Sequence, residues 1–596
     1  MVNTSVAYKE QIRKSTRNPS LIKINFGIID PDAVAGATIS DNGKLYFAQE
    51  PDINDIYAVS QRYGTFEPGI WLLDGTVATL DESELWQGFI SFNPCDDSNN
   101  CVYSEEPMIT IDFDQPYAFR GLGINFDTIQ NLYPQNVTIK AYLNSTLVFN
   151  QTLEVGSATW AYNNPVPSLG SFANKITFSF ARNRLPDQRL RIEQIILGVK
   201  KTLTEDVIIS ADWIRSNDLM NTVLPSNRFS YSFYDVNKEY NPDNPDGVWE
   251  YLETGQQVSF SLGYELDDGS VEWIQCGKNY TDGKPTIQKA ETLGEVTFNT
   301  VSKLEQLVDV YDEGVYNASG ATLYSLAQTV LRWAGCTTAT GGDDFELDNS
   351  LKDYLCYCPL PQLEARQLLQ LIANAGMCLL GVNRLGKIFM TPRGSTTQDF
   401  EFTLSDIVDN APTIDKYPYL KDMYFTMNSY TLEDTAEIAQ IEVVGASQTL
   451  YTIDYSAATD LSVSVSTGLT LNSTKGLYSR RAKVVVTGSG TITITGKILK
   501  ANSTVFTKNF NPVGEDCSLE NELVGSQVQA LAYIDWMASI LQLRNVYTFS
   551  DRGFPELDIS DIVQLDTAYT DAKNVVITGT QISFTGGISG ETEVLG

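Results

Sequence analysis

The sequence predicts a mainly β, multidomain (α+β) protein, and three observations carry that prediction. Apolar residues recur mostly at period two: "ITIDF" (109–113), "NVTIKAYL" (136–143), "KITFSF" (175–180), "QVSFSL" (257–262) and "TITITGKI" (491–498) alternate apolar with polar side chains, as half-buried antiparallel strands do. Helical periodicity is confined to "TLYSLAQTVLRWAG" (322–335), "PLPQLEARQLLQLIANAG" (359–376) and "VGSQVQALAYIDWMASILQL" (524–543). The chain has 596 residues, and at roughly 150 residues per domain it divides into about four cores.

Taken in order, the amino terminus carries charge but no apolar run of signal-peptide or membrane-span type, so synthesis in a cytoplasm without membrane insertion is expected. In "NRFSYSFYDVNKEYNPDNPDG" (227–247), Phe229, Tyr231 and Phe233 share one face of a strand over 228–234, and Ser230 and Ser232 share the other. The acidic run that follows has the wrong spacing for an EF-hand. A loop begun at Asp235 needs glycine sixth and glutamate twelfth, where this chain has Tyr240 and Asp246. Its Asn-Pro and Asp-Gly steps instead predict a turn leading to a strand at 257–263. The first two helical stretches each end at a glycine, Gly335 and Gly376, where a C-cap is expected. Segments 255–307 and 560–595 share an order of strand, turn, strand, turn, strand, which suggests two related β modules.

Composition narrows the chemistry. Asp and Glu number 74 against 41 Lys and Arg, a net charge of −33, and a chain this acidic repels the phosphates that dominate nucleic-acid affinity. Sequence-specific nucleic-acid binding is therefore not expected. There is no histidine, which removes Ser-His-Asp and Cys-His catalysis and HExxH zinc sites. A glycosidase needs only two suitably spaced carboxylates, so that option stays open on counting alone. Eight cysteines are scattered at 95, 101, 276, 336, 356, 358, 378 and 517 and read chiefly as buried thiols. Cys95 and Cys101 flank "DDSNN", and the sequence leaves their redox state open.

With those elements in place, "LPSNRFSYSFYDVNKEYNPDNP" followed by "LETGQQVSFSLGYEL", the helical middle segment with a hairpin turning at Asn383-Arg-Leu-Gly, and "YTFSDRGFPELDISDIVQLDT" near the end together resemble the bacteriophage tail-tip or baseplate hub family. Between them, "IWLLDGTVATLDESELWQGFIS" and "PMITIDFDQPYAFRGLGINFDT" resemble a discoidin-like carbohydrate-binding-type β-sandwich, with Asp74, Gly75, Trp86 and the "TIDF" strand (110–113) at matching positions. The resemblance implies a first tube-like β module from 1–35 plus 199–315, an inserted sandwich over 36–198 and an α/β module over 316–400. A second tube-like module over 401–596 carries an inserted β subdomain at about 440–515.

What the resemblance further implies is a structural virion protein of the tail tip or baseplate: a homotrimeric hub whose six modules continue the tail tube and line a DNA conduit. Its expected partners are tail tube and distal tail proteins, a tape-measure protein, and a receptor-binding fibre or spike. No segment resembles a lysozyme, peptidase or lyase, so no catalytic residue, cofactor or metal is assigned. In the sandwich, Trp71 and Trp86 read as core, Asp74 as a possible cation ligand, and Trp160 and Tyr162, in the loop-like "SATWAYNNP", as candidates for binding a host surface glycan. Two alternatives follow: a receptor-binding protein acting through the sandwich, and a cell-wall hydrolase with an accessory sugar-binding module.

Overall fold

The computed structural model describes all residues except 15, 44, 50–66, 68–87, 99, 129, 169–170, 245–246, 290–293, 338–342, 395–396, 409–411 and 568–569. Its organising feature is a fourteen-stranded sheet that contains the same six-strand arrangement twice. The first set consists of β1 (Ser20–Ile29), β2 (Ile208–Ser216), β3 (Ser226–Asp235), β4 (Gln257–Glu265), β5 (Val271–Thr281) and β6 (Gly294–Val301). The second consists of β7 (Thr397–Phe402), β8 (Thr413–Lys416), β9 (Asn545–Asp551), β10 (Ile562–Thr567), β11 (Thr570–Phe584) and β12 (Ile588–Leu595). Within the sheet they run β1-β4-β5-β6-β3-β2 and β7-β10-β11-β12-β9-β8. In both sets the chain therefore visits the strand positions in the same order. One pairing differs: β1 lies antiparallel to β4, whereas β7 lies parallel to β10.

Period-two patterning explains why these segments form strands, and aromatic packing explains the first module's core. Phe229, Tyr231 and Phe233 of β3 all point inward. Phe229 stacks on Phe260 with ring centroids 3.7 Å apart, and Tyr231 stacks on Phe298 at 5.5 Å. Burying such rings supplies about 2–3 kcal/mol each and fixes the register, because a one-residue slip would turn all three outward. The second module has its own aromatic core, where Phe400, Phe402, Phe549 and Phe554 meet edge to face. The amino-terminal helix Val6–Gln11 adds Tyr8 to that core.

Three further units hang from this double sheet. Two five-stranded sheets pack face to face around Phe113, Ile124, Phe126, Ile139, Phe178 and Ile192. They leave the first module where Ile29 lies opposite Gly198, so both ends of that segment meet at one place. Between the modules, helices Leu323–Trp333 and Ala365–Ala375 pack on a small three-stranded sheet. The second helix begins at Ala365 rather than 359, because Leu363–Glu364 pairs as a short strand with Val310–Tyr311. At its end Met377, with φ 55°, takes the left-handed position, while Gly376 stays right-handed with φ −86°. The third unit is a long ribbon in which Leu420–Asp454 pairs antiparallel with Arg481–Asn509. Gly488 and Gly490, at φ 108° and 157°, let the ribbon bend. The strands Ala458–Val465 and Leu469–Tyr478 then fold back to enclose Val443, Ile453, Val484, Val486 and Ile494.

The segment between β2 and β3 ties the first module to the α/β unit through side-chain amides. Asn217 donates to Leu380 O at 2.8 Å, and Asn221 donates to Cys378 O at 2.6 Å while accepting from Leu380 N–H at 3.3 Å. These bonds occupy backbone groups along the strand Cys378–Val382 in the manner of a neighbouring strand.

Candidate assembly site

The two modules meet edge to edge. β2 pairs with β3 on one side and with β11 on the other, from Ala211 opposite Phe584 to Ser216 opposite Gly579. β11 has room because β10 covers only its first half, ending at Val576. Side chains reinforce the seam: Ser583 donates to Asp212 at 2.5 Å, and Arg215 donates to Thr580 Oγ1 at 3.2 Å and to Asp558 Oδ1 at 3.0 Å. Arg384, from the hairpin turn of the α/β unit, donates to the same carboxylate oxygen at 2.8 Å and also to Gln275 O at 3.0 Å. Three units therefore converge on Asp558. Both guanidiniums lie over Trp213, Arg215 at 3.8 Å from the ring centroid and Arg384 at 5.6 Å, a cation–π arrangement. Burial, and then the neighbouring Arg384 charge, lower Arg215 to about 10. Burial opposes ionisation of Asp558, yet Arg384 and Arg215 together hold its carboxyl below the usual value. Beside the clamp is a cavity of about 410 Å³.

β8 holds in the second module the place that β2 holds in the first. It pairs with β9 and, among the described residues, with no second strand. All four of its residues are exposed. Apolar side chains lie in and around it: Ile414 is 55% exposed, Tyr417 57% and Val408 57%. Arg544 sits 3.4 Å over the Tyr419 ring and donates to Tyr417 O at 2.9 Å, which holds the segment after β8 extended. That segment borders a groove of about 600 Å³, lined by Met220, Val223, Leu224, Tyr417, Tyr419 and Leu543 among others. An open strand edge beside an apolar groove is a surface suited to receiving a further strand.

No protein-family model matches the chain, and no curated protein matches it. Three solved tail proteins are similar to it. The prophage MuSo2 43 kDa tail protein from Shewanella oneidensis is 13% identical, covering 65% of this chain and 93% of that one, with a TM-score of 0.37. The tail protein from Neisseria meningitidis MC58 is 10% identical over 66% of this chain and 94% of that one, at 0.36. The prophage tail protein gp18 from Listeria monocytogenes EGD-e is 9% identical over 66% and 91%, at 0.35.

The residues singled out from sequence do not gather at this seam. Trp160 and Tyr162 lie on the strand Thr159–Tyr162, paired with Leu122–Phe126, which corrects the expected loop. Trp160 is only 8% exposed, and its indole N–H donates to Glu154 O at 3.0 Å. Most of its ring surface is thus committed to packing. Tyr162 is half-buried, and its hydroxyl donates to Gln151 Oε1 at 3.0 Å. Trp71, Asp74, Gly75 and Trp86 lie outside the described residues. In the acidic turn, Asp235 accepts the backbone N–H groups of Glu239 and Tyr240, each at 2.9 Å, so its carboxylate organises the turn. Arg215, Asp558 and Arg384 were not legible as a group, because 343 residues separate Arg215 from Asp558. The one local signal was the hairpin at Asn383-Arg-Leu-Gly, whose arginine reaches the clamp.

Proposed function

We propose that the chain is a structural hub of a phage tail tip or baseplate, and that copies of it assemble side by side. The observation that carries this reading is the repeated six-strand order, with one module already docked on the other through β2 and β11. A chain with two such modules supplies a pair of ring segments, and three copies make a ring of six. Self-association of the same surface pair around an axis closes a ring when the rotation fits. The open edge of β8 and the groove beside it are where a neighbouring copy adds its surface. In this reading the ring continues a tail tube, meets distal tail and tape-measure proteins, and carries a receptor-binding fibre or spike. It works in the virion and needs no catalytic step. The net charge of −33 suits a conduit through which DNA passes without adhering, since like charges repel phosphate.

The test is the solution mass of the full chain by light scattering, alone and with its tail-tube neighbour. A particle of three times 66.0 kDa is expected. A species that stays monomeric in both conditions overturns the hub reading.

A further inference from the structure

We propose that the strand Thr286–Lys289 of one copy pairs antiparallel with β8 of the next, so that the seam inside each chain is repeated between chains. The pairing rests on the reading of the chain as a ring-forming hub, and it names the surface that meets β8. The internal repeat carries it. In the second module β11 is one long strand, bound by β10 over its first half and by β2 over its second. In the first module two pieces share that course. β5 is bound by β4 and meets β6 only at Tyr280 and Thr281, and Thr286–Lys289 then continues along β6. Among the described residues Thr286–Lys289 has no second strand beside it. It therefore stands where the docking half of β11 stands, and its open edge suits the open edge of β8, the counterpart of β2. Each chain carries one half of a further seam on either module, a head-to-tail arrangement that closes into a ring when the rotation fits.

The hairpin ends fix the register. The last pair is Lys289 opposite Gly294 in the first module and Phe584 opposite Ile588 in the second. From there the ladders match Ile287 with Ile582, Val296 with Gly590 and Phe233 with Asp551. They then match Phe229 with Tyr547, both buried, and Trp213 with Ile414. Inside the chain Trp213 lies opposite Ile582, and Asp212 opposite Ser583. Between chains the counterparts are Ile414 opposite Ile287, and Thr413 opposite Gln288. The side chains suit these places. Residues directly opposite in an antiparallel pair point to the same face. Ile414 is 55% exposed and Ile287 is half-buried at the margin of the first module's core, so each isoleucine covers the other. Thr413 and Gln288 are both exposed and polar, and can bond across the seam as Ser583 bonds to Asp212. The two edges also satisfy one another's open backbone groups.

The test places a thiol at each of the two exposed positions, Thr413→Cys and Gln288→Cys, in the full chain under the condition that gives the trimer. After oxidation with diamide, a denaturing gel of the double variant should show covalent dimers and trimers that reductant returns to single chains. A mixture of the two single variants should give dimers, and each single variant alone should stay a single chain. Hydrogen exchange of the wild type needs no variant: segments 286–289 and 413–416 should both slow by about tenfold or more on assembly. A trimer without these cross-links, or one in which either segment exchanges as in the monomer, overturns the pairing and leaves the hub reading standing. Protection of 413–416 alone, on adding the tail-tube neighbour, puts that neighbour on β8 and likewise overturns it. A chain that stays monomeric by light scattering overturns the hub reading and the pairing with it.

Discussion

Arg215 and Asp558 lie 343 residues apart in the chain, yet their side chains join at 3.0 Å across the seam between the two β modules. Arg384 presses on the same carboxylate from the α/β unit. Removing the shared anion leaves two guanidiniums facing one another. Asp558→Asn should destabilise the protein by about 2 kcal/mol, less than the 3–5 kcal/mol of a fully buried pair, because its side chain is 35% exposed and solvent screens the charge. Urea unfolding of Asp558→Asn, Arg215→Met and the double variant tests this; single-variant losses that simply add would show that the two residues do not interact.

A second expectation concerns pH. Burial raises Asp551 to about 6, against a pull downward from Thr592 and the Gly553 N–H. In the unfolded chain an aspartate titrates near 4. Between those values the folded state holds the proton more tightly, so this residue's contribution to stability falls as pH rises from about 4 to about 6 and is level above. Its share amounts to roughly 3 kcal/mol. Glu556, also raised by burial, acts in the same direction. The difference in unfolding free energy between wild type and Asp551→Asn, measured at pH 4 and at pH 7, should shift against the wild type; a constant difference contradicts the assignment.

The edge of β8 makes a separate prediction. Ile414 is 55% exposed, so Ile414→Glu should leave the monomer's Tm within the small range of a surface change. If neighbouring copies add along β8, the same substitution lowers self-association at least tenfold by sedimentation. Unchanged association would move the contact elsewhere on the molecule.

Asn221 tests how the α/β unit is fastened. Its amide bonds to both Cys378 O and Leu380 N–H, and the site is buried. Asn221→Ala strips partners from two backbone groups, and a loss of about 1–3 kcal/mol is expected. Hydrogen exchange should report it at Leu380, whose amide loses protection before amides in β3 do.

For the sandwich, Trp160→Ala should cost about 3–5 kcal/mol through the cavity it leaves, so loss of adsorption in that variant would report misfolding. Tyr162→Phe removes only the hydroxyl bonded to Gln151. Weaker binding to host-surface polysaccharide in this milder variant, with Tm unchanged, is the outcome that supports a glycan site.

The sequence by itself determined what depends on near neighbours along the chain. Alternation at period two located strands of the sandwich, β3 and β4 of the first module and a stretch of the ribbon, and helical periodicity located the helices Leu323–Trp333 and Gln527–Leu541 within about three residues and Ala365–Ala375 within about six. With no histidine, the sequence offers no imidazole as a base or metal ligand. Tertiary structure decided which strand lies beside which. Nothing local in "SADWIRS" or in "TGTQISF" says that Ala211 sits opposite Phe584, because that pairing rests on β10 ending early and on an arginine meeting a carboxylate from a distant turn. Strand recognition is a matter of spacing within a few residues, whereas sheet order is a matter of contacts across hundreds. Trp160 illustrates the difference: asparagines and a proline around it read as a loop, and pairing with Leu122–Phe126 made it a strand with the indole turned into the core.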